Sequence, residues 1–304
     1  MSHDRSRGAA KILRARSFYL SALTLAAIRL ICRRCGLSPF CVLIDAGGRF
    51  TLLAPNLDSV REGLKKARQE IDRWLFGRFF GQLRLNLTDE TTLTGQDFFG
   101  RFGDKMRELN DALDRAKRQP WSGQIQSEGQ WRRGAFAFDD GYPYGETVCP
   151  ISGYGRPEVE WPTGEGQTIK VSRQTAQERR IGEELARAKA IEISEAGGPD
   201  SVAFFENEAR TFLRIHSQLP DLANSASGGE LYALNELAPG FGCRVIANHV
   251  PRLTRELRER FAEQGLEDDE LASSEIGDAL TFEQIAALAE RSIRIVSRPF
   301  PRRG

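Results

Sequence analysis

Residues 8–35 constrain the fold more than any other stretch. Ile12, Phe18 and Tyr19, Ala22 and Leu23, Ala26 and Leu30 recur at helical spacing, and Gly36 and Pro39 end the run. The apolar core of this segment, Phe18 to Cys32, contains Arg29 and is shorter than the ~20 residues a membrane span requires. It therefore predicts a buried amphipathic helix rather than a transmembrane or targeting segment.

The segments after this helix set the fold class. Residues 40–46 predict a buried strand, Gly47-Gly48 a tight turn, and residues 49–54 a return strand stopped at Pro55. Residues 57–78 predict a second helix with Leu57, Val60, Leu64, Ala67, Ile71 and Leu75 on one face. Residues 82–88 alternate as a half-exposed strand, and 96–118 predict a third helix. The order α-β-β-α-β matches the β-α-β-β-α-β unit of ferredoxin-like and polymerase-palm domains without its first strand. A sheet missing one strand carries an unpaired edge.

Composition changes after residue 118. Residues 119–180 are rich in Gly, Pro, Ser and Gln and read as a loop-rich insertion. Residues 181–194 predict a short helix and strand. Further strands are expected at 202–206, 209–215, 231–235 and 242–248, and helices at 252–264 and 281–290. Ser292 to Val296 reads as a terminal strand. The sequence thus divides into a palm-like domain (1–118), an insertion (119–180) and a small α+β region (181–304).

Charge narrows the function classes. The chain has 43 basic and 42 acidic residues, a net charge of +1. That balance generates no whole-chain field for nucleic acid, so any such contact must be local. Local basic clusters exist at Arg5, Arg7, Lys11, Arg14 and Arg16, and at Arg291, Arg294, Arg298, Arg302 and Arg303. Five irregularly spaced cysteines and no secretory signal fit a reduced cytoplasm. With three histidines in all, His3-Asp4 lacks the further ligands that a metal phosphohydrolase of the HD type needs.

One spacing points to lost metal chemistry. Cys149 is followed three residues later by Ser152, and Ser172 three residues later by Thr175, with 19 residues between the pairs. The frame is that of a C-x2-C…C-x2-C zinc module. Hydroxyls stand at three of its four positions, and an aliphatic hydroxyl is a poor zinc ligand. No metal is expected. The Gly47-Gly48 turn is followed by Arg49 and Phe50 and preceded by the lone Asp45. It lacks the carboxylate pair with which palm-type cyclases hold two metal ions.

The segment Gly8 to Leu23 (GAAKILRARSFYLSAL) and the hairpin 41–56 (CVLIDAGGRFTLLAPN) resemble the first palm domain in the large subunit of type III-A CRISPR effector complexes. Gly95 to Phe98 and the helix after it fit that domain too, and the degenerate knuckles, IGEELARAKAIEIS (181–194), Leu234-Asn235, Arg244, Ile246 to Asn248, Val250 and Pro251 resemble later segments of the same subunit, with Leu280 to Glu283 resembling the last helix before its second palm domain, all in collinear order. The resemblance implies a component of an RNA-guided antiviral complex. Its partners would be the other complex subunits, guide RNA and target RNA, or a separate polypeptide carrying the second palm. The family is a single-strand deoxyribonuclease and cyclic oligoadenylate synthetase that uses ATP and divalent metal. Its HD motif would precede residue 1 and its Gly-Gly-Asp-Asp motif would follow residue 304, so this chain is expected to be inactive alone and to need no cofactor. The resemblance implies that Ser17, Gly47 and Gly48 form one wall of a nucleotide pocket. A stand-alone RNA- or nucleotide-binding module and a gene fragment without function are the alternatives.

Overall fold

The structure is a computed structural model. It describes residues 3–127, 129–138, 147–162, 168–198, 200–206, 210–222, 229–246, 253–263, 275–277 and 280. The chain forms two compact units, Met1–Ile246 and Ala247–Gly304.

The first unit opens with helix α1 (His3–Cys35), a 3-10 turn (Pro39–Cys41) and the hairpin β1 (Val42–Asp45) and β2 (Phe50–Leu52). Helices α2 (Asp58–Arg78), α3 (Asp97–Gly100), α4 (Phe102–Lys117) and α5 (Ser122–Ile125) follow. Two short ladders come next, β3 (Gln126–Ser127) with β4 (Gln130–Trp131), and β5 (Val159–Pro162) with β6 (Thr168–Val171). Helix α6 (Arg173–Leu185) leads into β7 (Ala190–Ser194), β8 (Val202–Phe204), β9 (Thr211–His216), β10 (Glu230–Leu234) and β11 (Gly242–Arg244). These last five strands make one sheet in the order β11-β10-β7-β9-β8. Its central strand β7 is buried along its whole length and pairs antiparallel with β9 and β10, while β11 runs parallel to β10.

Helix α1 is the axis of this unit. Its Ile12–Cys35 stretch is apolar enough, by length and composition, to cross a membrane. Ala15, Phe18, Ala22, Ala26, Ala27, Leu30 and Ile31 are nonetheless buried inside the chain, as expected of a helix apolar on most of its circumference. Its partners are α2, α6 and the five-stranded sheet, and Tyr19 meets Phe204 of β8 with ring centroids 5.2 Å apart. Helix α2 comes very close. A Cβ on Gly63 would lie 2.4 Å from the Arg34 carbonyl oxygen, so only glycine permits this approach.

Several sequence expectations shift. The boundaries at 118 and 180 do not separate compact bodies, because the buried face of α1 is shared between α2 and the elements after residue 173. The predicted strand at 82–88 forms no ladder among the described residues; Leu83, Leu85 and Leu87 pack on the core, Arg84 donates to the Ala116 carbonyl and Arg68 to that of Leu87. The short helix expected at 181 begins at Arg173, since Ser172 caps it. The insertion contains the β3–β4 and β5–β6 ladders and the buried Trp121, whose Nε1 donates to the Gly81 carbonyl.

In the second unit, α7 (Arg255–Glu263) follows Thr254, whose Oγ1 accepts from the Leu257 amide. Leu253, Phe261 and Leu280 form its buried cluster. The expected helix at 281–290, the strand-like Ser292–Val296 and the C-terminal basic cluster lie outside the described residues.

Candidate functional site

The Gly47-Gly48 turn lies directly on α1. Gly47 has φ +74°, a conformation that side-chain-bearing residues rarely adopt. The Ala46 amide closes the turn on the Arg49 carbonyl at 2.8 Å. A Cβ on Gly47 would stand 3.1 Å from the Ser21 hydroxyl, and Thr24 Oγ1 reaches the Gly47 carbonyl at 3.4 Å. Ser21 in turn donates to the Ser17 carbonyl at 3.1 Å. Ser21 therefore links the expected wall residues: Ser17 and Gly48 are exposed, and Gly47 is half-buried against the helix.

Asp45, the lone carboxylate before the turn, is not open to a metal. Arg244 of β11 donates to its Oδ2 at 2.5 Å, and the Arg244 guanidinium lies 4.9 Å from the Tyr232 ring centroid. Tyr232 donates to Glu230, and Glu230 pairs at 3.0 Å with Arg29 of α1, which also donates to the Ile193 carbonyl. Burial first, then the neighbouring Glu230, pushes the Tyr232 hydroxyl up to about 12. This chain of polar contacts ties hairpin, helix and sheet together. The signal for it was Arg29, a charge within an apolar helix, but its partners are more than 150 residues away in sequence. Among the described residues, no three His, Cys, Asp or Glu side chains converge as a metal site would need.

The second expected constellation does come together. Cys149 and Thr175 are fully buried, and the Cys149 Sγ is 3.4 Å from Thr175 Oγ1, which is 3.0 Å from Ser172 Oγ. Ser172 also accepts from the Thr175 amide, and so caps α6. On the Cys149 side, the Gly153 amide donates to the Cys149 carbonyl, and the Cys149 amide to that of Gly155. The β5–β6 ladder spans the gap between the two turns. Burial pushes the Cys149 thiol up. Hydrogen bonds from the Ser152 and Thr175 side chains and from the Ser152 and Ser172 amides outweigh it, bringing the thiol down to about 6. The cluster sets the Cys149 sulfur among hydroxyls and backbone N–H groups, one sulfur where a tetrahedral zinc site has four ligands.

The class is thus a mixed α+β chain built around a core helix, with a hairpin on that helix and the Cys149–Ser172–Thr175 cluster. Residues 4–130 match the family model described as Csm1 subunit domain B. The chain is 38% identical over 96 residues to the Cas10/Csm1 single-strand-specific deoxyribonuclease of the subtype III-A CRISPR system of Mycobacterium tuberculosis, covering 32% of this chain and 12% of that protein. It is 30% identical over 152 residues to the Thermococcus onnurineus counterpart, covering 50% of this chain and 19% of that protein. The crystal structure of a Csm1–Csm4 subcomplex from the type III-A interference complex aligns with 81% of this chain and 28% of its own, at a TM-score of 0.51 and 17% identity, a likeness of fold. The chain is thus similar to a stretch of these large subunits, and it spans less than a fifth of the length of the curated relatives it matches.

Proposed function

We propose that this chain serves as a scaffold segment of the large subunit in a type III-A CRISPR effector complex. The observation that carries this reading is the match of residues 4–130 to Csm1 domain B, together with the knuckle positions downstream in family order. In this reading α1, the β1–β2 hairpin, α2 and the Leu83–Leu87 segment belong to a palm unit. Cys149, Ser152, Ser172 and Thr175 are a zinc ribbon whose metal has been replaced by a hydrogen-bonded cluster. The exposed Ser17 and Gly48, with Gly47 between them and α1, supply one wall for a nucleotide phosphate: a turn without carboxylates does not repel an anion. ATP and divalent metal would belong to the complete subunit. The chemistry would need carboxylates this turn does not present, since Asp45 is engaged by Arg244.

The relative whose fold this chain shares is described in complex with Csm4. Co-expression with a Csm4-type subunit, with or without guide RNA, is the direct test. A single co-eluting species is the expected outcome. Failure to co-elute with any neighbouring subunit would remove the scaffold reading. Incubation of the chain alone with ATP and Mg²⁺ or Mn²⁺ should yield no oligoadenylate. Product that disappears on Asp45→Ala would assign it catalysis of its own.

A further inference from the structure

Residues 115–133 carry five basic side chains, Arg115, Lys117, Arg118, Arg132 and Arg133, against one acidic one, Glu128, in a chain whose net charge is only +1. The segment runs from the end of α4 through α5 into the β3–β4 arm. Its two tryptophans have opposite roles. Trp121 is buried at the base: its Nε1 donates to the Gly81 carbonyl at 3.1 Å, its ring centroid lies 5.0 Å from that of Phe76, and its carbonyl accepts from the Gln124 and Ile125 amides. Trp131 stands on the arm and is 71% exposed, the one exposed tryptophan of the four in the chain. Gln126 pairs opposite Trp131, Gly129 turns the arm at φ +77°, and the Arg132 amide donates to the Ile125 carbonyl at 2.8 Å. A single exposed apolar side chain is ordinary on a protein surface. A large flat ring held out on a fixed arm, followed at once by two arginines, is a different arrangement.

We propose that the β3–β4 arm is a contact site for single-stranded RNA, with one base stacked on Trp131 and the neighbouring phosphates held by Arg132 and Arg133. An exposed tryptophan face accepts any base, and stacking of this kind needs no particular sequence. A duplex hides its base faces, so the strand must be single. Arg132 and Arg133 are both exposed. Arg132 donates to the Gln124 carbonyl at 3.4 Å, a neutral partner that leaves its charge for an anion. Arg115 and Lys117 pair with Glu90 and Asp114 in exposed contacts, which cost little to exchange for phosphate. The amides on the arm decide between nucleic acids. Gln124, Gln126 and Gln130 lie on it or at its base. A side-chain amide both donates and accepts, as the ribose 2′-hydroxyl does, which favours RNA over DNA. An acidic peptide would neutralise the arginines equally well but offers the Trp131 ring no flat partner. The proposal rests on these residues and not on the family reading, and it holds whether or not the chain joins a larger complex.

The test uses the full chain and short end-labelled oligonucleotides: uridine RNA, deoxyuridine DNA of the same length, and an RNA duplex. Anisotropy of the label reports binding, and tryptophan fluorescence reports stacking. Uridine RNA should bind more tightly than the DNA or the duplex, and it should quench the tryptophan signal. Trp131→Ala should weaken binding about tenfold and remove the quenching. Its melting temperature should not change, since the ring is exposed. Trp131→Phe should keep most of the affinity, which separates stacking from a structural role. Arg133→Ala should lower the slope of log affinity against log salt by about 0.7, the loss of one phosphate contact on a single strand. No binding of uridine RNA would overturn the proposal. So would Trp131→Ala that binds as the parent does, or DNA or duplex bound as tightly as the RNA. Displacement of the RNA by polyglutamate at matched charge would assign the arm to an acidic polypeptide, which also overturns it.

Discussion

Arg244 and Asp45 are 199 residues apart in sequence, and a 2.5 Å hydrogen bond joins them, the guanidinium of β11 to the carboxylate that ends β1. The pair is mostly shielded from solvent, and it is a polar tie between the hairpin and the five-stranded sheet, which no ladder joins among the described residues.

Removing either partner strands a shielded charge. Arg244→Ala and Asp45→Ala should each cost about 2 kcal/mol, between the values for exposed and for buried pairs. The double variant should cost less than the sum. Urea denaturation of the four proteins measures this. Additive losses would mean that the pair contributes nothing of its own.

The close approach of α1 and α2 is equally testable. Gly63→Ala places a methyl 2.4 Å from the Arg34 carbonyl oxygen, and backbone cannot yield as a flexible side chain can. A loss of about 1–3 kcal/mol is expected, typical of overpacking. Thermal denaturation against Gly77→Ala, a glycine of the same helix with open space around it, is the control. Equal melting temperatures for the two variants would contradict the packing.

Cys149 predicts a pH dependence. Its thiol is near 6 in the fold, against an ordinary 9 for the unfolded chain. The folded value is depressed, so the stabilisation is complete above about pH 9, shrinks as the pH falls, and is gone below about pH 6. Three units correspond to on the order of 4 kcal/mol at most. The melting temperature of the chain should fall between pH 9 and 6, and that slope should be absent in Cys149→Ser. Parallel profiles would show that the thiol is not ionised in the fold.

The geometry of Cys149, Ser172 and Thr175 predicts that a zinc site can be built there. Tetrahedral zinc with bonds of about 2.3 Å needs ligand atoms roughly 3.8 Å apart, and the side-chain contacts here are 3.0 and 3.4 Å. The natural chain should hold no stoichiometric zinc. Ser152→Cys, Ser172→Cys and Thr175→Cys combined should bind one ion per chain. Losing the Ser172 cap costs about 1 kcal/mol, so the triple variant should be less stable than the parent in chelator and more stable with zinc. Elemental analysis and melts under both conditions decide this. A variant without zinc would mean that the four positions do not form one site.

Much of the first unit was legible in the sequence because its signals are local. Helical periodicity located α1 and α2, Gly47-Gly48 located the hairpin turn, and the short strand-like runs after residue 181 located β7 to β10 within a few residues. The spacing of Cys149, Ser152, Ser172 and Thr175 anticipated a constellation that the fold brings together. Ser172 as a helix cap is also readable, from a serine three residues before a threonine amide.

What the sequence alone determined is therefore each element and the chemistry each can offer: a long apolar helix, a carboxylate-poor turn, one thiol among hydroxyls. What only the tertiary structure decided is which surfaces share a core. α1 has apolar residues on nearly every side, and nothing in its own sequence says that one side meets α2 and another the sheet 160 residues later. The same holds for Leu83–Leu87, whose alternation fits a strand. A strand exists only when a neighbouring edge accepts its hydrogen bonds, and pairing is a property of the partner as much as of the segment.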